Sequence, residues 1–290
     1  MNDTKGFLIS GFADEYAKEF DEQLRGMTDL GIKYIEIRGC DGKGIEAHTE
    51  AETKELAKKL SAAGIGLSAV GSPIGKIQIT DDFKSHLELL KHVCEQAHIL
   101  GTDRIRMFSF YMPKEGDRKE NLKKYRSEVL DRLNAMTELA ESEKLRLCCE
   151  NELMLYGEQP EECLDIMQTF GDRLGFVFDP ANFILSGAEA YPYAFHMLKK
   201  YTTYMHIKDA AAAGSILPAG QGEGRIAETL SEIENKKGFF LTIEPHLKVF
   251  EGLSALSGEN AGLVKSRFAS RAEAFRAARD GLYECIAAAE

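Results

Sequence analysis

Short apolar runs rich in β-branched and aromatic residues alternate along the chain with longer stretches of helical periodicity. The short runs predict strands over residues 6–12, 34–38, 65–70, 104–108, 145–150, 175–179, 203–207 and 239–244. The amphipathic stretches predict helices over 17–30, 50–63, 83–100, 121–143, 161–170, 188–201 and 225–236, with a last one over about 261–289. Gly31, Gly64, Gly101, Gly171 and Gly238 stand just past five of these helices. A glycine there takes the left-handed conformation without steric cost, so the stop signals agree with the period.

Eight strand–helix units of roughly 30–40 residues each predict a single (β/α)8 TIM barrel, one domain over residues 1–290. A doubly wound open sheet would carry a glycine-rich turn after its first strand, and here that turn reads Gly11-Phe12-Ala13-Asp14-Glu15. The glycines of residues 214–224 fall inside a βα loop rather than in a linker.

In a barrel, chemistry sits where the strands end. The last four predicted strands end in Glu150, in Asp179, in His206 followed by Lys208, and in Glu244. These strands are neighbours, so their ends can converge near the axis with three oxygen ligands and one nitrogen. That set suits a divalent ion, Mn²⁺ first, with Mg²⁺, Co²⁺ or Zn²⁺ as alternatives. A single acid after a strand is often a helix cap, but four ligand types in succession are hard to obtain from capping. Asp179 and Glu244 are each followed by proline, which argues against an immediate helix start. Alternate residues of a strand share a face, so Glu152, Lys208 and His246 are expected to follow Glu150, His206 and Glu244 into the pocket. Asn182 is a further polar group at the mouth.

Composition narrows the partners. Asp plus Glu number 47 against 36 Lys plus Arg, a formal charge of −11. A field of that sign repels phosphate backbones and disfavours nucleic acid. No apolar run approaches the roughly 18–20 residues of a membrane span, and the first residues lack the pattern of a secretory signal. The six cysteines, Cys40, Cys94, Cys148, Cys149, Cys163 and Cys285, show no Cys-x-x-Cys pairing and read as reduced thiols. A cytoplasmic protein acting on a small molecule is expected, with a homo-oligomer left open.

The sequence resembles the xylose isomerase-like TIM barrels, the sugar isomerases and epimerases related to tagatose and psicose 3-epimerases, inosose dehydratases and AP endonucleases. The resemblance covers nearly the whole chain. It is carried by Ile35-Glu36-Ile37-Arg38, Glu150-Asn151-Glu152, Phe178-Asp179-Pro180-Ala181-Asn182, His206-Ile207-Lys208-Asp209, Pro218 with Gly222-Glu223-Gly224, and Ile243-Glu244. It implies that Glu150, Asp179, His206 and Glu244 are metal ligands and that the two glutamates move the proton. Asn182 and Glu152 stand where histidine is frequent in that family.

Such a site can deprotonate carbon beside a sugar carbonyl, because a divalent cation stabilises the enediolate that forms. Glu150 and Glu244 then act as an acid/base pair on a ketose or related polyol. Loss of a neighbouring hydroxide from the same enediolate would make the enzyme a dehydratase of an inosose-like keto-polyol. A non-catalytic sugar-binding barrel is the third reading, disfavoured because a pocket of carboxylates without a cation is costly. A DNA-repair endonuclease would need extra histidines after strands three and four, where the chain reads Ala69-Val70-Gly71-Ser72 and Phe108-Ser109-Phe110.

The loop of residues 210–224 is expected to form a lid, with Glu223 or Arg225 reaching a substrate hydroxyl. It lacks the Gly-Lys-Ser/Thr of a phosphate cradle, which favours a non-phosphorylated sugar. Arg106 is expected inside the barrel, paired with Glu36. Lys76, in the loop with Ser72 and Pro73, is expected in solvent, as are His86, His92 and His98. Phe110 and Tyr111 either wall the sugar or pack under a loop. Asp14 and Glu15 read as turn and cap residues.

Overall fold

The computed structural model describes residues 4–249 and 268–289. Among them, eight parallel strands form a nearly closed (β/α)8 TIM barrel: β1 Leu8–Gly11, β2 Tyr34–Ile37, β3 Gly66–Gly71, β4 Arg104–Met107, β5 Arg146–Glu150, β6 Gly175–Phe178, β7 Thr202–Ile207 and β8 Phe240–Ile243. The strands pair in the order β1-β8-β7-β6-β5-β4-β3-β2, and β1 lies beside β2 at the seam.

Strand alternation sorts the side chains. Ile35 and Ile37, Ile105 and Met107, Leu147 and Cys149, Phe176 and Phe178, Met205 and Ile207, and Leu241 and Ile243 belong to the large core cluster beneath the helices. The intervening residues line the barrel. Ala69, Cys148, Val177, Tyr204 and Phe240 form a separate apolar plug, with Leu8 and Tyr34 packed against it. Two residues past Tyr34, Cys148, Val177 and Tyr204, these same inner rows carry Glu36, Glu150, Asp179 and His206, with Arg106 of β4 at the same level. The polar layer therefore rests on a dry floor.

The helices start where local chemistry dictates. Thr49 and Glu52 form a reciprocal capping box on the helix Glu50–Ala63, which Gly64 closes at φ 65°. Asp82 caps Phe83–Leu100, and Gly101 closes it at φ 79°. Asp117 caps Arg118–Ser142, so that helix begins three residues before its expected start. The expected helix over 188–201 is instead a wide turn, Ala190–Ala194, leading into Phe195–Leu198. The helix expected over 225–236 is confined to Ile226–Ser231. Gly238 thus closes a turn ahead of β8, not a helix. The last helix is described over Arg271–Ala288, capped by Ser270. Residues 261–267 of its expected span lie outside the described residues. Among the described residues, no helix is long and apolar enough to cross a membrane.

All six cysteines are buried and free. His86 and Lys76 correct the sequence reading. His86 is buried, and its Nε2 accepts the Gly75 amide at 2.8 Å. Lys76 lies in the loop after β3 with its side chain turned inward, its ammonium 3.0 Å from Glu152 and 4.3 Å above the Phe108 ring. His92 is half-buried against the His48 carbonyl, and His98 is exposed as expected. Phe110 packs beneath a loop against Phe83 and His86.

Candidate metal centre

The inner rows of β5 and β7, and the residues just past β6 and β8, bring Glu150, His206, Asp179 and Glu244 together. One ligand atom from each lies within 4.8 Å of all the others, and all four residues are buried. Two ligands on opposite sides of an ion at about 2.0–2.6 Å are at most roughly 4–5 Å apart, so these atoms fit one divalent cation.

The orientation of His206 supports that fit. Its Nδ1 lies 2.9 Å from Glu150 Oε1 and 3.6 Å from Glu244 Oε2, inside the cluster. Its Nε2 lies 3.1 Å from Glu36 Oε2 on the far side. Tyr204 donates from its hydroxyl to the other Glu36 oxygen at 3.2 Å. A ligating histidine commonly has its second nitrogen held by a carboxylate, which fixes the ring and raises its basicity. Burial works to lower the His206 pKa, but Glu150 and Glu36 override it and hold the imidazole well above its ordinary range. In the metal-free protein the ring is therefore charged. A metal would replace the Nδ1 proton while Glu36 keeps the Nε2 proton.

Asp179 divides its two oxygens. Oδ1 accepts the Asn182 amide at 3.1 Å and caps the short helix Pro180–Leu185. The proline that argued against a helix start is in fact its first residue, a position proline tolerates because no donor is needed there. Oδ2 faces the cluster, 2.8 Å from the Lys208 ammonium. Burial, reinforced by Glu244 and Glu150 against the pull of Lys208, pushes the Asp179 carboxyl up to about 7. A divalent cation would relieve that crowding. Asn151 braces the site by exchanging two hydrogen bonds with the Asp179 backbone, both 2.9 Å. Asn182 is buried, and its Nδ2 donates to the Asn151 carbonyl at 2.9 Å and faces Glu150 at 3.5 Å.

Three cations surround the carboxylates. Lys208 is also 3.0 Å from Glu244 Oε2. Arg38 takes Glu244 Oε1 at 2.9 Å, both oxygens of Asp14 at 2.9 and 3.1 Å, and Glu15 at 3.1 Å. Arg106 stands inside the barrel as expected, with Nε 3.6 Å from Glu36 and 3.3 Å from Glu150. The Glu244 carboxyl is held well below the usual range despite burial, with Lys208 the strongest opposing influence.

Arg38 was missed as a site residue, although the period-two step from Glu36 reaches it. Asp14 and Glu15 are likewise more than turn residues. Burial, with Glu244 and Asp14 adding to it and Arg38 opposing, pushes Glu15 up to about 8. His246 is buried with Nε2 3.4 Å from both Glu15 and Glu244, and its amide donates to Glu15 at 2.7 Å.

The remaining expected site residues lie apart from the four ligands. Glu152 turns toward Lys76. Glu223 is exposed and accepts the Ala212 amide at 2.8 Å. Arg225 is exposed, pairs with Glu228 and covers the Tyr191 ring at 4.8 Å. Their loop is tied to Asp209. The buried Asp209 carboxylate accepts the amides of Ala210, Gly220, Gly222 and Gly224 at 2.8–2.9 Å. A Cβ on Gly222 would lie 2.3 Å from Asp209 Oδ1, which explains that glycine.

The xylose isomerase-like TIM barrel family model matches residues 24–267. Solved structures share the fold. An L-ribulose 3-epimerase superposes with TM-score 0.74 at 16% identity, over 97% of this chain and 95% of that one. D-Psicose 3-epimerase from Clostridium cellulolyticum H10, solved with D-tagatose, gives 0.73 at 14% identity over 98% and 100%. The IolI protein with a bound zinc atom gives 0.67 at 19% identity over 97% and 98%. No curated protein matches the sequence.

Proposed function

The chain belongs to the xylose isomerase-like TIM barrel family, and from that premise we propose a divalent-metal-dependent isomerase or epimerase of a ketose or related polyol. The observation that carries the reading is the convergence of Glu150, Asp179, His206 and Glu244 around one point. Zinc in IolI and tagatose in the psicose epimerase support it by analogy of fold.

A bound ion, Mn²⁺ first with Mg²⁺, Co²⁺ or Zn²⁺ as alternatives, would polarise a carbonyl and stabilise an enediolate. The chain supplies the rest. Glu244 and Glu150 flank His206 from two strands, and the neighbouring cations favour the ionised form of both, so either carboxylate can accept the proton beside the carbonyl; the other acts as the acid only after it has drawn a proton from solvent, which it then gives to the enediolate. Arg38 and Lys208 take the two Glu244 oxygens, and Arg106 and His206 the two Glu150 oxygens, which fixes both carboxylates. Of the residues that the sequence assigned to the substrate, Asn182, Lys208 and His246 lie beside the cluster and are proposed to touch the substrate, whereas Glu152, Glu223 and Arg225 lie apart.

The test is solvent deuterium uptake into ketohexoses, ketopentoses and inososes by the Mn²⁺-loaded protein. Uptake abolished by chelation and by Glu244→Gln supports the assignment. Uptake into none, with metal demonstrably bound, refutes it.

A further inference from the structure

Glu244 belongs to two groups of buried ligand atoms. Its Oε2 faces His206 and Lys208 in the four-ligand centre, at 3.6 and 3.0 Å. On the other side, one ligand atom from each of Glu15, Glu244 and His246 lies within 4.8 Å of the other two. His246 Nε2 is 3.4 Å from Glu15 Oε1 and 3.4 Å from Glu244 Oε1. Two carboxylates and an imidazole at that spacing form a donor set for a divalent cation, which Glu244 would bridge to the first centre. The backbone supports the arrangement. His246 stands at φ 45°, in the left-handed region, where a side chain is strained. Its amide donates to Glu15 Oε2 at 2.7 Å, which pins that conformation and leaves Glu15 Oε1 facing the ring.

The same two oxygens are taken by a guanidinium. Arg38 donates from Nη1 to Glu244 Oε1 at 2.9 Å and from Nη2 to Glu15 Oε1 at 3.1 Å. Arg38 and a divalent ion on these oxygens exclude each other, by charge and by space. Lys208 has the corresponding place in the first centre, on Asp179 Oδ2 and Glu244 Oε2 at 2.8 and 3.0 Å. The two cations differ in their anchoring. Lys208 is a point charge on a flexible stem, which can swing aside for an ion. Arg38 is a planar fork that keeps its charge at any working pH. Its Nε and Nη2 also grip both oxygens of Asp14, at 2.9 and 3.1 Å, and its Cζ lies 4.2 Å from the centre of the Phe12 ring. Displacing it would break all of these contacts together.

We propose that Arg38 is the resident second cation of this centre: it fills a latent ion site made by Glu15, Glu244 and His246, and so holds the protein to one metal ion. Arg38 is a positioning residue. By holding Glu244 Oε1 it turns Oε2 toward His206 Nδ1 and the four-ligand centre. Arg38 also lines a cavity of about 300 Å³ at the barrel mouth, so its removal gives a hydrated ion a path to the three ligands. The inference rests on the four-ligand metal centre of the isomerase reading.

Equilibrium dialysis of the full chain against Mn²⁺, with electron paramagnetic resonance of the bound ion, tests it. The wild type is expected to bind one Mn²⁺ per chain, with the spectrum of an isolated ion. Arg38→Ala, and Arg38→Gln, which keeps more of the volume, are expected to bind two. The ions of two-metal sites lie about 3.5–4 Å apart, so the pair bridged by Glu244 should show exchange-coupled lines. Adding His246→Ala to Arg38→Gln should return the count to one. A wild type that binds two ions, neutral variants that bind only one, or a second ion that persists without His246 overturns the proposal and leaves the four-ligand centre standing. A wild type that binds none removes the centre and the proposal together.

Discussion

Nε2 of His206 lies 3.1 Å from Oε2 of Glu36, across the barrel from β7 to β2, and the Nδ1 of the same ring faces Glu150 at 2.9 Å. One carboxylate thus sets which imidazole nitrogen is left for a cation. Glu36→Gln should keep the fold and weaken Mn²⁺ binding by about 10–100-fold. Titration calorimetry reads the affinity, and an unchanged dissociation constant would deny Glu36 its orienting role.

Lys208 holds Asp179 and Glu244 together at 2.8 and 3.0 Å in the metal-free protein. Removing one partner of a buried ionic group costs about 3–5 kcal/mol. Lys208→Met should therefore lower the melting temperature of the metal-free protein. Mn²⁺ should then raise it by more than in the wild type, since the ion takes over the missing charge. Equal metal-induced shifts in the two proteins would show that the ammonium does not substitute for a cation.

The unmutated protein gives a direct check on the centre. A ligand at a hundredfold excess over its dissociation constant stabilises by about 2.7 kcal/mol. Mn²⁺ should raise the melting temperature by several degrees, and a chelator should reverse the rise. Asp179→Asn should abolish most of the effect. A metal response that persists in that variant would place the ion elsewhere.

Asp209 accepts four backbone amides, so its replacement leaves buried donors without partners. Asp209→Ala should lower stability by more than about 3 kcal/mol and open residues 210–224 to proteolysis. Urea unfolding and limited digestion measure both. Intact resistance to digestion would show that the loop is fastened by other contacts.

The thiols should be silent in the native state. Burial pushes Cys40, Cys94, Cys148 and Cys285 up to about 12, far above the pH of a thiol assay. Ellman's reagent at neutral pH should label none of the six until the protein unfolds. Rapid native labelling would contradict their burial.

The barrel and the convergence of Glu150, Asp179, His206 and Glu244 were legible because both depend on short-range order. Alternation within β5, β7 and their neighbours puts a residue on the inner face two positions after another, and no distant information is needed. Arg38, Asp14 and Glu15 were not legible in the same way. Their roles depend on closure of the barrel, which sets β1 beside β8 and brings the ends of β1 and β2 to Glu244, a relation of 206 residues in sequence for Arg38. Asp179 misled for a local reason, since proline after it reads equally as a helix breaker or a helix start. Asp209 was hidden by its own glycines. Gly220, Gly222 and Gly224 suggest mobility when read alone, yet all three amides reach one carboxylate, and a Cβ on Gly222 or Gly224 would crowd it.

The plug of Tyr204, Val177, Cys148, Ala69 and Phe240 has a kinetic consequence. With this apolar layer beneath Glu150, Asp179 and His206, reactant and product share the mouth side of the barrel. Departing product leaves by the opening that the next molecule enters and binds the same free site, so accumulated product should inhibit competitively.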